Sequence, residues 1–509
     1  MPSENNKRIA KNTLMLYFRM IIMMGVSLYT VRIVLDTLGV VDYGIYNVVG
    51  GIVTMFSFLS NSMAVASQRF FSFELGKKDY NQLKKTFSIT ISIYIMLSFV
   101  ILLLAETVGL WFLNTQMTIP ENRIEAANWI YQFSILSFMM TLFTIPYNAA
   151  IIAHERMNVY AWVSIIEVIL KLLIVYLLLA FTYDKLKLYG VLIFGVTSII
   201  TLIFRTYCKK RFKECRFSFF WNKSLFKEIL SYSGWNLFGA LASIFNNQGV
   251  NIVLNMFFGP IVNAAQAIAY QVNGALVQFV QNFMTAARPQ IIKYYASGEK
   301  EKMVNLVFQS SKFSFLLLFI LTMPLLLEAN YILDIWLTHT PEYVVLFIRF
   351  IIIAALIDSL SHSLMTSAQA TGKIKKYTSI IGGVMILNLP VSYLFLKLGY
   401  PPQTVFILAI VNSVICLSLR LLLLIKMIQF PVKRYLHKVV LPLLMVTSIA
   451  YILPFLLTIE LKEGLSRFLI VGFTGLISSL ICIYTLSLNK NEKSYIVPLL
   501  SKFTKKIIK

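Results

Sequence analysis

Residues 32–46 read RIVLDTLGVVDYGIY, and about 220 residues later, at 252–266, the chain reads IVLNMFFGPIVNAAQ. In both stretches an apolar run meets a glycine, Leu38-Gly39 in the first and Phe258-Gly259 in the second, and a new run begins. Other landmarks recur in the same order: Arg69 as Arg288, Gly76 as Gly298, and Leu103-Leu104-Ala105-Glu106 as Leu325-Leu326-Leu327-Glu328. Ala153 with a short charged turn returns as Ala370 with another. Chance does not keep order and offset over so many positions, so the chain holds an internal duplication. In a membrane chain such a repeat points to a transporter.

That the chain belongs in a membrane follows from composition. Hydrophobic residues make up 58%, charged residues 13%, and the mean hydropathy is +0.75, far from soluble averages. Apolar stretches able to cross about 30 Å of hydrocarbon fall near 13–35, 43–66, 87–113, 126–152, 159–182 and 188–207. Six more lie near 229–257, 260–283, 305–328, 343–369, 378–396 and 402–425, and two without counterpart near 439–458 and 466–487. The expected fold class is therefore an all-α polytopic membrane protein of fourteen helices. It divides into a six-helix lobe at 1–208, a basic linker at 209–226, a second six-helix lobe at 227–426, two additional helices within 427–488, and a basic tail at 489–509.

Orientation is read from Lys and Arg, which concentrate in cytoplasmic loops. With a cytoplasmic amino terminus and strict alternation, 34 of the 46 basic residues fall in cytoplasmic segments, 6 in external loops and 6 within helices. Both termini are expected in the cytoplasm. Even helix numbers give the lobes the same orientation, hence a pseudo-twofold along the membrane normal. The net charge of +24 sits in short loops beside helices, where anionic lipid headgroups attract it, and nucleic acid is not an expected partner.

Cys208, Cys215, Cys416 and Cys482 form no CxxC pair and fall in helices or on the cytoplasmic side, which argues against disulfides or zinc. The first apolar stretch is too long for a signal peptide and is expected to stay as a helix. No GxxxxGK[ST] loop is present. External connections are too short for a catalytic domain, and His, Cys and carboxylates do not cluster at metal-ligand spacing. Neither catalysis nor a cofactor is expected.

Several local patterns carry a family likeness: the opening Arg8-Ile9-Ala10-Lys11-Asn12-Thr13, then Arg32, Leu38-Gly39 and Asp42-Tyr43-Gly44-Ile45-Tyr46, then Arg69 followed by Gly76. With the six, six and two helices they make the chain resemble the multidrug, oligosaccharidyl-lipid and polysaccharide exporter (MOP) superfamily, and within it the Wzx-type flippases. The resemblance implies movement of an oligosaccharide on a polyprenyl pyrophosphate from the inner to the outer leaflet of the bacterial cytoplasmic membrane. Lobes that rock around a central cavity would do this. An ion-coupled drug or metabolite antiporter of the same superfamily, a peptidoglycan-precursor flippase, and an enzyme or scaffold for glycan-assembling enzymes are the other readings.

A pyrophosphate and a hydrated sugar need polar, basic company to cross lipid, so charges within helices are the best clues. Arg19 stands mid-helix, and a guanidinium fork matches phosphate oxygens. In the fold implied by the resemblance it faces the cleft, although an arginine that snorkels or bonds a carbonyl would look the same. Arg32 is a cargo contact or an interfacial anchor. Asn236, Ser243, Asn247 and Asn251 on one helix and Asn263, Gln266, Tyr270, Asn273 and Gln281 on the next recur at helical spacing. They form either the lining of a sugar path or interhelical glue.

Asp358 and His362, four apart, share a face and are read as a site for a coupling proton or sodium ion, or as a packing ion pair. Glu167 and Lys171 repeat that spacing with the same two readings. Glu106 and Glu328 are read as structural. Segments 71–87 and 293–308 mix Lys, Tyr and Phe and are expected to lie as amphipathic helices on the surface. Pro146, Pro260 and Pro324 are candidate hinges.

Overall fold

The computed structural model describes residues 4–54, 57–115, 117, 119–181, 183–337, 341–489 and 492–493. All regular structure among the described residues is helical. The long helices are α1 (Glu4–Thr54), α2 (Ser57–Lys77), α3 (Tyr80–Leu104), α4 (Ile124–Ala153), α5 (Met157–Ala180), α6 (Lys185–Arg211) and α7 (Lys223–Phe258). The second run comprises α8 (Pro260–Ala296), α9 (Lys300–Leu327), α10 (Val344–Ala370), α11 (Lys375–Lys397), α12 (Thr404–Ile428), α13 (Leu441–Glu460) and α14 (Leu465–Cys482). That makes fourteen, as the apolar runs predict.

The duplicated glycines do the same work. α1 bends at Gly39, with φ 79° and ψ 166°, and α7 gives way to α8 at Gly259, with φ 74° and ψ −171°. Both values lie where a Cβ is strongly disfavoured, a region that belongs almost wholly to glycine. Pro260 follows as the first residue of α8, where its missing N–H has no helical partner to lose. It therefore starts a helix, whereas Pro146 and Pro324 lie inside α4 and α9.

Among the described residues, twelve segments are long and apolar enough to cross a membrane. Neither α2 nor α8 qualifies. These are the second helices of their respective halves, and both are rich in amides and hydroxyls: Ser60, Asn61, Ser62, Ser67 and Gln68 in α2, and Asn263, Gln266, Asn273, Gln281 and Asn282 in α8. Such helices need protein neighbours at depth rather than lipid on every side.

The segments expected to lie on the surface are instead turns between long helices. α2 runs to Lys77, Asp79 caps α3 by accepting the Gln82 N–H at 2.9 Å, and α3 starts at Tyr80. Its counterpart turns at Gly298 (φ 77°) between α8 and α9. Phe71 and Phe87 are buried against each other at 5.7 Å, and Phe87 meets Tyr147 at 5.6 Å, so the apolar side of this segment faces protein.

The chain forms two compact units: residues 11–237, and residues 1–10 together with those from Phe238 onward. In the first, the core gathers Val34, Phe71, Phe87, Ile130, Tyr131, Ile151, Val175 and Phe204. Gly190 lets α6 approach α4 closely, because a Cβ there would stand 3.3 Å from Ile130 Cγ1. At one end Arg123 joins two segments distant in sequence, bonding Asp42 through Nε (2.8 Å) and Asp184 through Nη1 (2.8 Å), while Lys187 pairs with Glu125 at 2.6 Å. Partial burial pulls the Asp184 carboxyl up, yet hydrogen bonds from Arg123 and from the Lys187 and Leu186 amides hold it below its ordinary value. At the other end His154 stacks on Phe212 at 3.9 Å and bonds Glu214 at 2.7 Å, tying the linker to the α4–α5 turn.

In the second unit Asn5 donates to Tyr294 Oη at 2.7 Å and Arg8 to Gln290 at 3.2 Å, which places the first residues against α8. α13 and α14 dock on α9. Lys312 of α9, 2% exposed, donates to Ser487 O (2.9 Å) and Glu492 (2.5 Å). Ser311 meets the Tyr435 hydroxyl at 2.6 Å. At the far end of α9 the fully buried Glu328 carboxylate takes Arg467 at 2.9 Å. The outer sides of α13 and α14 expose Leu444, Ile452, Leu469, Phe473 and Leu480, a surface suited to lipid. Glu106, the counterpart of Glu328, accepts from Gln132 at 3.1 Å.

Candidate functional site: a polar cavity in the second unit

Five helices of the second unit surround a cavity of about 260 Å³. Each contributes at helical spacing, so one face of each helix points inward. α7 supplies Ser243, Asn246, Asn247 and Val250; α8 supplies Tyr270, Asn273 and Val277; α11 supplies Met385 and Asn388. α10 brings Phe350, Ile351, Ala354, Ala355, Asp358 and His362, and α12 brings Val405, Phe406, Ala409, Asn412, Ser413, Cys416 and Arg420.

The lining is graded. Toward the starts of α10 and α12 it is apolar, with Phe350, Ile351, Val405 and Phe406. Two to three turns further along, it becomes amide-rich and then charged. Asp358 is open to the cavity and held by Ser413, with Arg420 in its field. His362, one turn on, is subject to the charges of Arg288 and Arg420. No ion pair within 4.0 Å joins Asp358 to His362 among the described residues, so the packing-pair reading does not describe them.

Arg420 is the strongest charge in the wall. It is 9% exposed, donates through Nη1 to the Tyr377 hydroxyl at 3.2 Å, and has a buried Nε with no hydrogen-bond partner. Asn388 donates to Asn246 at 2.8 Å, which fixes two of the amides, and the Asn273 Oδ1 has no partner. A buried cation without a carboxylate beside it is costly, and the arrangement makes chemical sense if an anionic or strongly polar guest completes it.

Of the residues singled out from sequence, the structure brings Ser243, Asn247, Tyr270, Asn273, Asp358 and His362 together here. Gln266 lies one turn before Tyr270 and is buried beside it without lining the space. Asn251 accepts from Asn263, whose Nδ2 also bonds the Asn251 carbonyl at 2.8 Å, so it joins α7 to α8 near their turn. Gln281 sits further along α8, outside the cavity lining. Asn236 belongs to the first unit. There too, Arg19 stacks on the Tyr160 ring at 4.5 Å and Glu167 pairs with Lys171 at 2.6 Å. The Arg32 side chain lies outside the described residues. Arg420, Asn246, Asn388 and Asn412 are additions. Arg420 carried the same signal as Arg19, a charge within an apolar stretch.

The profile of a family described as "Polysaccharide biosynthesis protein" matches residues 9–295. The chain belongs to this family. A second profile, MatE, matches residues 240–394, which include the α7, α8, α10 and α11 walls of the cavity. Together they place the chain in the MOP superfamily of transporters. Among solved structures it is similar to an outward-facing multidrug resistance MATE family transporter of that superfamily (TM-score 0.69, 13% identity, 83% of this chain and 95% of that one). It is also similar to a MOP superfamily transporter from Pyrococcus furiosus described as having reverse polarity of its binding pocket (TM-score 0.66, 14% identity, 83% and 97% covered). A third is the MATE transporter ClbM in complex with Rb+ (TM-score 0.68, 14% identity, 82% and 94% covered). No curated protein matches the sequence. The fold is the two-lobe, all-helical fold of MATE transporters, and family and fold are those of transporters.

Proposed function

We propose that the chain is a flippase that carries a polyprenyl-pyrophosphate-linked oligosaccharide, such as an O-antigen or capsule repeat unit, from the inner to the outer leaflet of the bacterial cytoplasmic membrane. Both termini then face the cytoplasm. The observation that carries this reading is the family match over residues 9–295. The amide-lined cavity supports it, because neighbouring amides exchange hydrogen bonds with hydroxyls in both directions. Arg19, held against Tyr160, is the proposed pyrophosphate contact in the first unit, and Arg32 is proposed in the same role.

Asp358 with His362 is the proposed site of the coupling proton or sodium ion. Moving one charge through the membrane field releases about 2.3 kcal/mol per 100 mV, enough to bias a carrier cycle. A transporter of the same fold holding Rb+ is in keeping with a monovalent cation. Glu167 with Lys171, paired to each other, is the second candidate for ion coupling, with a structural pair as its alternative.

The MatE match over 240–394 favours one other reading, an ion-coupled antiporter of drugs or metabolites. Purified protein in proteoliposomes separates the two. With a polyprenyl-pyrophosphate oligosaccharide in one leaflet and an imposed ion gradient, the flippase moves the lipid across and Arg19→Ala slows it. An antiporter leaves the lipid in place and extrudes a small cationic dye against its gradient.

A further inference from the structure

We infer that the cavity of the second unit is the seat of a single acidic sugar residue, with Arg420 receiving its carboxylate and the surrounding amides its hydroxyls. The inference rests on the flippase reading and narrows it to a class of cargo.

Size is the first argument. At about 260 Å³ the cavity is smaller than the roughly 300–1,000 Å³ of sites that enclose drug-sized ligands. One pyranose ring suits that volume. Hydrogen-bond supply is the second. Asn247, Asn273 and Asn412 line the space, and the buried Asn273 Oδ1 has no partner. Ring hydroxyls present both donors and acceptors and satisfy such a wall.

Charge is the third argument and decides the class. Arg420 is nine-tenths buried, lines the cavity, has its Nε unpartnered, and is bonded only by a neutral tyrosine hydroxyl. Its planar fork suits a carboxylate. His362 stands on the same wall as a ring that both donates and accepts, and it is not counted as a charge. One carboxylate shares the wall, Asp358, which Ser413 holds and which lies more than 4.0 Å from the guanidinium. The unpartnered guanidinium therefore favours an anion at the Arg420 end, and Asp358, which stands apart from it, keeps the coupling role proposed above.

The test uses the purified full chain in nanodiscs, titrated with sodium glucuronate, with glucose, and with inorganic phosphate, and read by saturation-transfer NMR. Glucuronate is expected to bind about tenfold more tightly than glucose, a difference near 1.4 kcal/mol. Arg420→Gln removes that preference and leaves glucose binding in place. Asn412→Ala weakens both sugars by a similar factor and keeps the preference, which provides a second variant should Arg420→Gln fail to fold. Equal binding of glucuronate and glucose to the intact chain overturns the inference, as does a preference that survives Arg420→Gln. Phosphate that displaces glucuronate at equal or lower concentration also overturns it, since the site then reads the carrier's phosphates. Lipid translocation is measured separately. Glucuronate preference without translocation keeps the acidic-sugar site and sinks the flippase reading, whereas translocation without the preference does the reverse.

Discussion

The two units share a repeated sequence pattern and dispose of their charges in different ways. In the first, Arg123 closes on Asp42 and Asp184 and Lys171 on Glu167, while Arg19 stacks on Tyr160 with its Nε unpartnered. In the second, closed pairs are found where α13 and α14 dock, Lys312 with Glu492 and Arg467 with Glu328. Arg420, His362 and Asp358 stay open to a cavity. A buried ion pair adds little net stability and mainly fixes geometry, while an open buried charge is a standing penalty that a guest relieves. The comparison teaches that a glycine turn recurring in both halves can carry charges closed into pairs in one place and left open to a cavity in another.

The largest expected effect falls on the closed pairs of the second unit. Glu492→Ala leaves the Lys312 ammonium buried without its partner and lowers stability by about 3–5 kcal/mol. Lys312→Met with Glu492→Leu recovers most of that loss. Thermal unfolding of the full chain in detergent, followed by tryptophan fluorescence, checks both, and an unaltered melting temperature in the single variant contradicts the docking of α13 and α14 described above.

Next comes the frame the units share. Gly39→Ala and Gly259→Ala should each destabilise by about 1–3 kcal/mol, because a Cβ is strained at φ values of 79° and 74°. If the same unfolding assay finds one costly and the other neutral, the two turns are not equivalent and the duplication argument weakens.

A smaller effect depends on pH. The folded-state pKa of Asp184 lies below its ordinary 3.8, so its contribution is present above that value and is lost as pH falls through the folded value. Asp184→Asn should therefore melt lower than the intact chain at pH about 6, and the gap should close as pH falls below the folded value of the carboxyl. A gap that widens on acidification refutes the assignment. Smallest is Glu167→Gln. This pair is partly exposed and spaced i, i+4, and its loss should change stability by about 0.3–0.5 kcal/mol.

Much of the frame was legible because long apolar runs and glycines at fixed offsets are local signals. Fourteen helices and the Gly39–Gly259 equivalence follow from them directly. The mixed Phe, Tyr and Lys segments were misleading, since a turn between two long helices and a surface helix share that composition. Only packing, Phe71 and Phe87 against Tyr147, tells them apart. At the site, Asn247, Asn273, Asp358 and His362 were visible as polar residues at helical spacing. Asn388 and Asn412 were not, because a single amide in an apolar helix has no period, and its partners lie on helices distant in sequence. Whether Arg19 faces cargo or a ring was equally hidden, for the choice depends on Tyr160, 141 positions away along the chain.

The most direct measurement is translocation of a uronate-containing polyprenyl-pyrophosphate oligosaccharide in proteoliposomes by the intact chain, Arg420→Gln, Asp358→Asn and Glu167→Gln, at matched protein and ion gradient. The account predicts transport by the intact chain, a loss of about tenfold or more in Arg420→Gln and Asp358→Asn, and a rate within about twofold of intact for Glu167→Gln. Full transport by both cavity variants would contradict the placement of the sugar seat and the coupling ion in the second unit.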